Sequence, residues 1–128
     1  MATIRERVLV VEDEALIRMM LADGLADMGF EVIEAADADT AVELLTGGLA
    51  PHAVVTDVRM PGRRDGLGLA AWLREHRPDV PVVVTSGLSK APDAAAINPA
   101  IVAVLPKPYD VQAVAALLAR ARASSKAE

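Results

Sequence analysis

The sequence predicts one α/β domain, a doubly wound five-stranded parallel sheet with helices on both faces. Three observations lead there. Short runs rich in β-branched residues recur along the chain, each too brief for a surface helix. Helical stripes of apolar residues separate them, and glycine, proline or a capping acid punctuates most junctions. Strands that alternate with helices in this way form a parallel sheet covered on both sides.

The first strand is Val8-Leu9-Val10-Val11, apolar throughout and therefore buried on both faces. Ile17, Met20, Leu21, Gly24, Leu25 and Met28 then share one helical face, and Gly29 ends the run. Glu31-Val32-Ile33-Glu34 alternates, as a strand near a sheet edge does. Asp37 or Asp39 can cap a helix striped by Ala41, Leu44 and Leu45 and stopped at Gly47-Gly48. Ala53 to Thr56 forms the third strand. A turn-rich loop, Met60 to Gly66, leads to a helix striped by Leu69, Ala70 and Leu73 that ends before Pro78. Pro81 to Thr85 and Ile101 to Leu105 are the fourth and fifth strands. Between them Ala94-Ala95-Ala96-Ile97 favours a short helix confined by Pro92 and Pro99. Val111, Val114, Ala115 and Leu118 stripe the last helix. The single domain spans 1–128, with its core at about 6–122 and a frayed tail over 123–128.

Composition narrows the function. At 128 residues and 53% hydrophobic content the chain can bury one real core. Its net charge of −5 argues against a general grip on nucleic acid or an anionic membrane. It has no cysteine, which removes disulfides and thiolate metal sites and suits a reducing cytoplasm. Neither a secretory signal nor a stretch long enough to span a membrane is present, so a cytoplasmic location is expected.

The chemistry gathers at the strand ends. Glu12 and Asp13 directly follow the first strand and Asp57 follows the third. In the order 2-1-3-4-5, the flavodoxin-like arrangement, these two strands are neighbours and the winding reverses between them, where such sheets bind ligands. Three carboxylates brought together there repel one another and require a cation or a basic partner. A hard ion such as Mg²⁺ fits, because it takes a few carboxylates and leaves positions open for water or phosphate oxygens. Lys107, in Leu105-Pro106-Lys107-Pro108, follows the fifth strand at the same end of the sheet. Ser86 adds a hydroxyl after the fourth strand, and Gly87 leaves room for an incoming group. Metal, ammonium, hydroxyl and an acceptor carboxylate make a phosphoryl-transfer site with aspartate as nucleophile.

Val10-Val11-Glu12-Asp13-Glu14, Asp57-Val58-Arg59-Met60-Pro61, Asp65-Gly66, Thr85-Ser86-Gly87 and Lys107-Pro108-Tyr109 follow one another in order over nearly the whole chain. In this set the chain resembles the receiver domain of bacterial two-component response regulators, of the single-domain type. The resemblance implies that Asp57 accepts a phosphoryl group from a sensor histidine kinase or a histidine phosphotransfer protein. It implies that Glu12, Asp13, Asp57 and the backbone carbonyl of Arg59 hold Mg²⁺, that Lys107 contacts the phosphoryl group and that the Lys107–Pro108 peptide is cis. Counting five positions from Pro81, as the family does, selects Ser86 rather than Thr85 as the switch hydroxyl, since alternate strand residues face opposite ways.

Three departures from the family pattern stand out. The loop from Pro61 to Asp65-Gly66 is one residue longer than the commonest form, Val104 stands where many members carry an aromatic, and the helix after the fourth strand is short. Arg59 and Leu88 flank the path of an attacking water without offering a base, so they are expected to slow hydrolysis by occlusion. His52 and His76 read as surface residues, Met19, Met20 and Met28 as helix packing or its margin, and Trp72 as peripheral packing off its helix stripe.

The expectation is a stand-alone receiver, monomeric or weakly dimeric, that signals by protein–protein contact and has no separate catalytic output. Its output protein is not named by the sequence. Two rivals remain. A Mg²⁺-dependent phosphohydrolase of the aspartate-nucleophile type would turn over a phosphomonoester. A phosphorylation-independent interaction module would give no reason for three acids and Lys107 to share a register.

Overall fold

The fold is taken from a computed structural model that describes residues 6–58, 65–86, 101–106 and 110–126. Five strands form one parallel sheet: β1 (Arg7–Val11), β2 (Glu31–Ala35), β3 (Ala53–Asp57), β4 (Val82–Ser86) and β5 (Ile101–Pro106), in the order β2-β1-β3-β4-β5. Four helices are described: α1 (Ala15–Asp27), α2 (Ala38–Thr46), α3 (Gly66–His76) and α4 (Val111–Lys126). The short helix expected around Ala94 to Ile97 lies outside the described residues.

The pleat of the central strands sorts their side chains onto two cores. Leu9, Val11, Val54, Val82 and Val84 pack under α2 and α3 with Ala41, Leu45, Leu69 and Leu73. Val8, Val10, Ala53, Val55 and Val83 pack on the other face with Leu21 and Leu25 of α1 and Val114 and Leu118 of α4. Because both faces of β1, β3 and β4 are covered, these strands carry no alternation of polarity. Strand β2, at the edge, does not show the expected alternation: Val32 and Ile33 are both half-buried, and Glu31 and Glu34, of opposite strand parity, both stand exposed.

The helix boundaries follow their local chemistry. Asp37 caps α2 by accepting the Thr40 N–H at 2.7 Å, Asp65 caps α3 through the Gly68 N–H at 2.8 Å, and Asp110 accepts the Ala113 N–H at 2.7 Å at the head of α4. Gly29 and Gly48 adopt left-handed backbone, φ 100° and 115°, just past α1 and α2.

The structure corrects the sequence reading at α1. The stripe expected on α1 is rotated: Leu21, Ala22 and Leu25 are buried, whereas Met20 is 65% exposed and Met28 is 43% exposed. Leu21 and Leu25 pack into the core formed with β1, β3, β4 and α4, and α1 lies so close to α4 that a methyl at Gly24 would come within 2.8 Å of the Val111 side chain. That contact is made at a residue without a side chain, and Met20 and Met28 lie outside the buried face. At the C-terminus α4 runs to Lys126.

Candidate metal and phosphoryl site

The register of the sheet assembles the acids. Val11 pairs with Thr56, so Glu12 and Asp57 stand one step further along adjacent strands. They share strand parity with Val10 and Val55, which face the α1/α4 core. Asp13 follows on the turn into α1. Carboxylate oxygens of Glu12, Asp13 and Asp57 all lie within 4.8 Å of one another. Glu12 and Asp57 are buried, while Asp13 is open to solvent.

Glu12 is held along its whole length. Its N–H donates to the Ala35 carbonyl at 3.1 Å, tying the end of β1 to the end of β2. Its side-chain Oε2 accepts the Glu14 N–H at 3.1 Å, and its backbone carbonyl accepts Nη1 of Arg18 at 2.9 Å. Asp57 is fixed through its backbone. The Thr56 hydroxyl donates to the Asp57 carbonyl at 3.0 Å, and the next residue, Val58, donates its N–H to the Thr85 carbonyl and accepts the Gly66 N–H. The loop after β3 is thereby strapped to the first residue of α3.

The donor set fits a hard divalent cation. All three groups are oxygen donors, the kind a hard ion such as Mg²⁺ prefers, and they lie close enough together to share one ion. Two carboxylate charges at this distance repel by about 3–4 kcal/mol at an effective dielectric of 20, a cost that a shared cation removes. The exposed side at Asp13 leaves room for waters or phosphate oxygens.

Of the other residues singled out in the sequence, Thr85 is buried and pairs in register with Asp57, while the backbone of Ser86 pairs with Pro106. Arg59, Gly87, Leu88, Lys107 with its bond to Pro108, and the side chains of Ser86 and Val104 lie outside the described residues. His52 is exposed, as expected, and its Nδ1 accepts the Arg7 N–H at 2.9 Å. The His76 ring stacks on Trp72 at 4.3 Å, which covers one face of the indole while its other contacts reach the α2/α3 core.

The receiver-domain model of the response regulators matches residues 8–119 of this sequence. The chain belongs to the response regulator receiver family. Among curated relatives of this receiver, the transcriptional regulatory protein PdtaR of Mycobacterium tuberculosis is 41% identical over 117 residues, covering 86% of this chain and 53% of PdtaR. The receiver thus spans about half the length of that relative. NtrX from Brucella abortus is 34% identical with a TM-score of 0.85, over 96% of this chain and 28% of NtrX. The receiver domain of an HD domain-containing protein from Pseudomonas fluorescens Pf-5 has a TM-score of 0.87 over 98% of this chain and 100% of its own, and at 24% identity it attests the fold alone.

Arg18 and Glu34 are the site residues that sequence reasoning missed. Arg18 sits between Ile17 and Met19 in an apolar stretch of α1, and its partner at the site is a backbone carbonyl, which leaves no mark in a sequence. Gly66 was recognised within the Asp65-Gly66 motif, and the structure gives its reason. A methyl on Gly66 would overlap the backbone carbonyl of Asp57.

Proposed function

We propose that this receiver takes a phosphoryl group onto Asp57 from the phosphohistidine of a sensor kinase or phosphotransfer protein. The N–P bond of the donor breaks as a bond forms between phosphorus and an Asp57 carboxylate oxygen, and the imidazole leaves. Glu12, Asp13 and Asp57, with the Arg59 carbonyl, would hold Mg²⁺, which when bound neutralises phosphoryl oxygens. Lys107 would pair with the transferred group and Ser86 would hydrogen-bond it. The added charge at the ends of β3 and β4 then biases neighbouring loops, and the signal leaves by protein–protein contact.

The observation that supports this most is the convergence of three carboxylates from two adjacent strands at the reversal point of a receiver-family sheet. Asp57 is the member of the trio at the end of β3, beside β4, on which the proposed switch residue Ser86 lies. No helix among the described residues is long and apolar enough to cross a membrane.

Acetyl phosphate supplies the test. With Mg²⁺ the protein should gain one phosphoryl group by intact mass and lose it to hydroxylamine, whereas Asp57→Asn or chelation of the metal should abolish the gain. Steady turnover of a phosphomonoester would instead identify a phosphohydrolase. No phosphorylation together with undisturbed partner binding would identify a phosphorylation-independent module.

A further inference from the structure

The β1–α1 turn carries two of the three acids, and one side chain braces it from outside. Arg18, half-buried on the second turn of α1, donates Nη1 to the Glu12 carbonyl at 2.9 Å. Its Nε donates to Oε1 of Glu34 on β2 at 3.2 Å. The Glu12 carbonyl belongs to the planar peptide joining Glu12 to Asp13, so holding it fixes the plane from which Asp13 departs. With the Glu12 N–H already tied to Ala35, both sides of Glu12 are anchored to the β2 end of the sheet.

We infer that Arg18 is a positioning residue for the divalent-cation site. It orders the Glu12–Asp13 peptide, and Glu34 aims its guanidinium. This rests on the metal-dependent receiver reading above and adds a residue to it. A planar, forked donor suits the task, since one end binds the carbonyl while the other is held by a carboxylate. The exposed acid, Asp13, has most to gain, because solvent rather than packing surrounds its side chain.

The sign of the effect separates this role from the obvious alternative. A guanidinium beside an acidic cluster repels a divalent cation through space, so a purely electrostatic Arg18 would weaken Mg²⁺ binding and its removal would tighten it. A positioning Arg18 does the opposite. Loss of outer partners at metal sites costs about ten- to a hundredfold in affinity. Because Arg18 grips a peptide rather than a ligand atom, the lower end, about tenfold, is expected.

Mg²⁺ titration of the whole protein, followed by calorimetry, with unfolding of the metal-free variants alongside, tests the inference. Arg18→Ala should bind Mg²⁺ about tenfold more weakly. Arg18→Lys, which keeps the charge but not the fork, should fall near Arg18→Ala. Glu34→Ala should weaken binding in the wild-type background and have little further effect when Arg18 is already alanine. Unchanged or tighter binding by Arg18→Ala, wild-type affinity in Arg18→Lys, or an equal Glu34→Ala effect in both backgrounds would overturn it. Arg18→Lys and Glu34→Ala retain the test even if Arg18→Ala does not fold. Absence of Mg²⁺ binding by the wild-type protein would instead sink the underlying receiver chemistry.

Discussion

Gly66 lies against the backbone carbonyl of Asp57 so closely that no side chain fits between them, and the Gly66 N–H donates to the next carbonyl, that of Val58, at 2.8 Å. The first residue of α3 is therefore pressed onto the strand end that carries the proposed phosphoryl acceptor. The obstacle is backbone rather than a movable side chain. Gly66→Ala should destabilise the fold by about 1–3 kcal/mol through overpacking, despite the better helix propensity of alanine. Urea unfolding measures this, and a neutral or stabilising result would show that β3 and α3 can separate freely.

Buried Glu12 and Asp57 repel each other when no cation is present. Asp57→Asn should raise metal-free stability by on the order of 1 kcal/mol, well below the full pair repulsion because solvent and neighbouring donors screen it. Added Mg²⁺ should stabilise the wild type in proportion to the logarithm of its concentration above Kd, and Asp57→Asn less. Thermal unfolding with and without Mg²⁺ reads both effects; identical curves for the two proteins under both conditions would contradict them.

The α2 cap gives the fold an acid-sensitive joint. Hydrogen bonds from the Thr40 backbone, and then from its side chain, lower the Asp37 pKa below its ordinary value. A carboxyl depressed on folding contributes stability above its unfolded pKa and loses it as pH falls through the folded one. Asp37→Ala should cost about 1 kcal/mol at neutral pH, and that difference should shrink as the solution is acidified below the ordinary carboxylate range. A penalty independent of pH would mean that the charge contributes nothing.

The contact between α1 and α4 predicts a rescue. Gly24→Ala gains roughly 1 kcal/mol of helix propensity but drives a methyl into Val111, so its net effect should be neutral or unfavourable. Shortening the neighbour with Val111→Ala should make the same substitution at Gly24 favourable. A double-mutant cycle in urea measures the coupling, and additive effects would show that the helices do not meet at these residues.

The same contact marks where the fold ceased to be legible in the chain. Strand order and the two-sided burial of β1, β3 and β4 could be read because uniform valine runs between helices admit few arrangements. The acids could be read because they directly follow those runs. The phase of α1 could not. Leu16, Ile17, Met19, Met20, Leu21 and Leu25 surround much of the helix with apolar side chains, and only tertiary packing on the sheet and α4 selects Leu21, Ala22 and Leu25 as the inner face. The brace on Glu12 was hidden for a different reason, since it joins an arginine to a main-chain oxygen and to a glutamate on another strand.

A corollary distinguishes the two faces of α1. Leu21→Ala should cost about 2–5 kcal/mol, as expected for a buried leucine. Met20→Gln should change stability by no more than about 0.5 kcal/mol. Comparable losses at both positions would restore the stripe that the sequence suggested.

Mn²⁺ accepts the same oxygen donors as Mg²⁺ and broadens nuclear resonances near it, so substoichiometric Mn²⁺ titration of isotope-labelled protein locates the cation. The amides of Glu12, Asp13, Glu14, Asp57 and Val58 should broaden first, and excess Mg²⁺ should restore them. Broadening centred on another surface, or none at these residues, would contradict a cation shared by Glu12, Asp13 and Asp57.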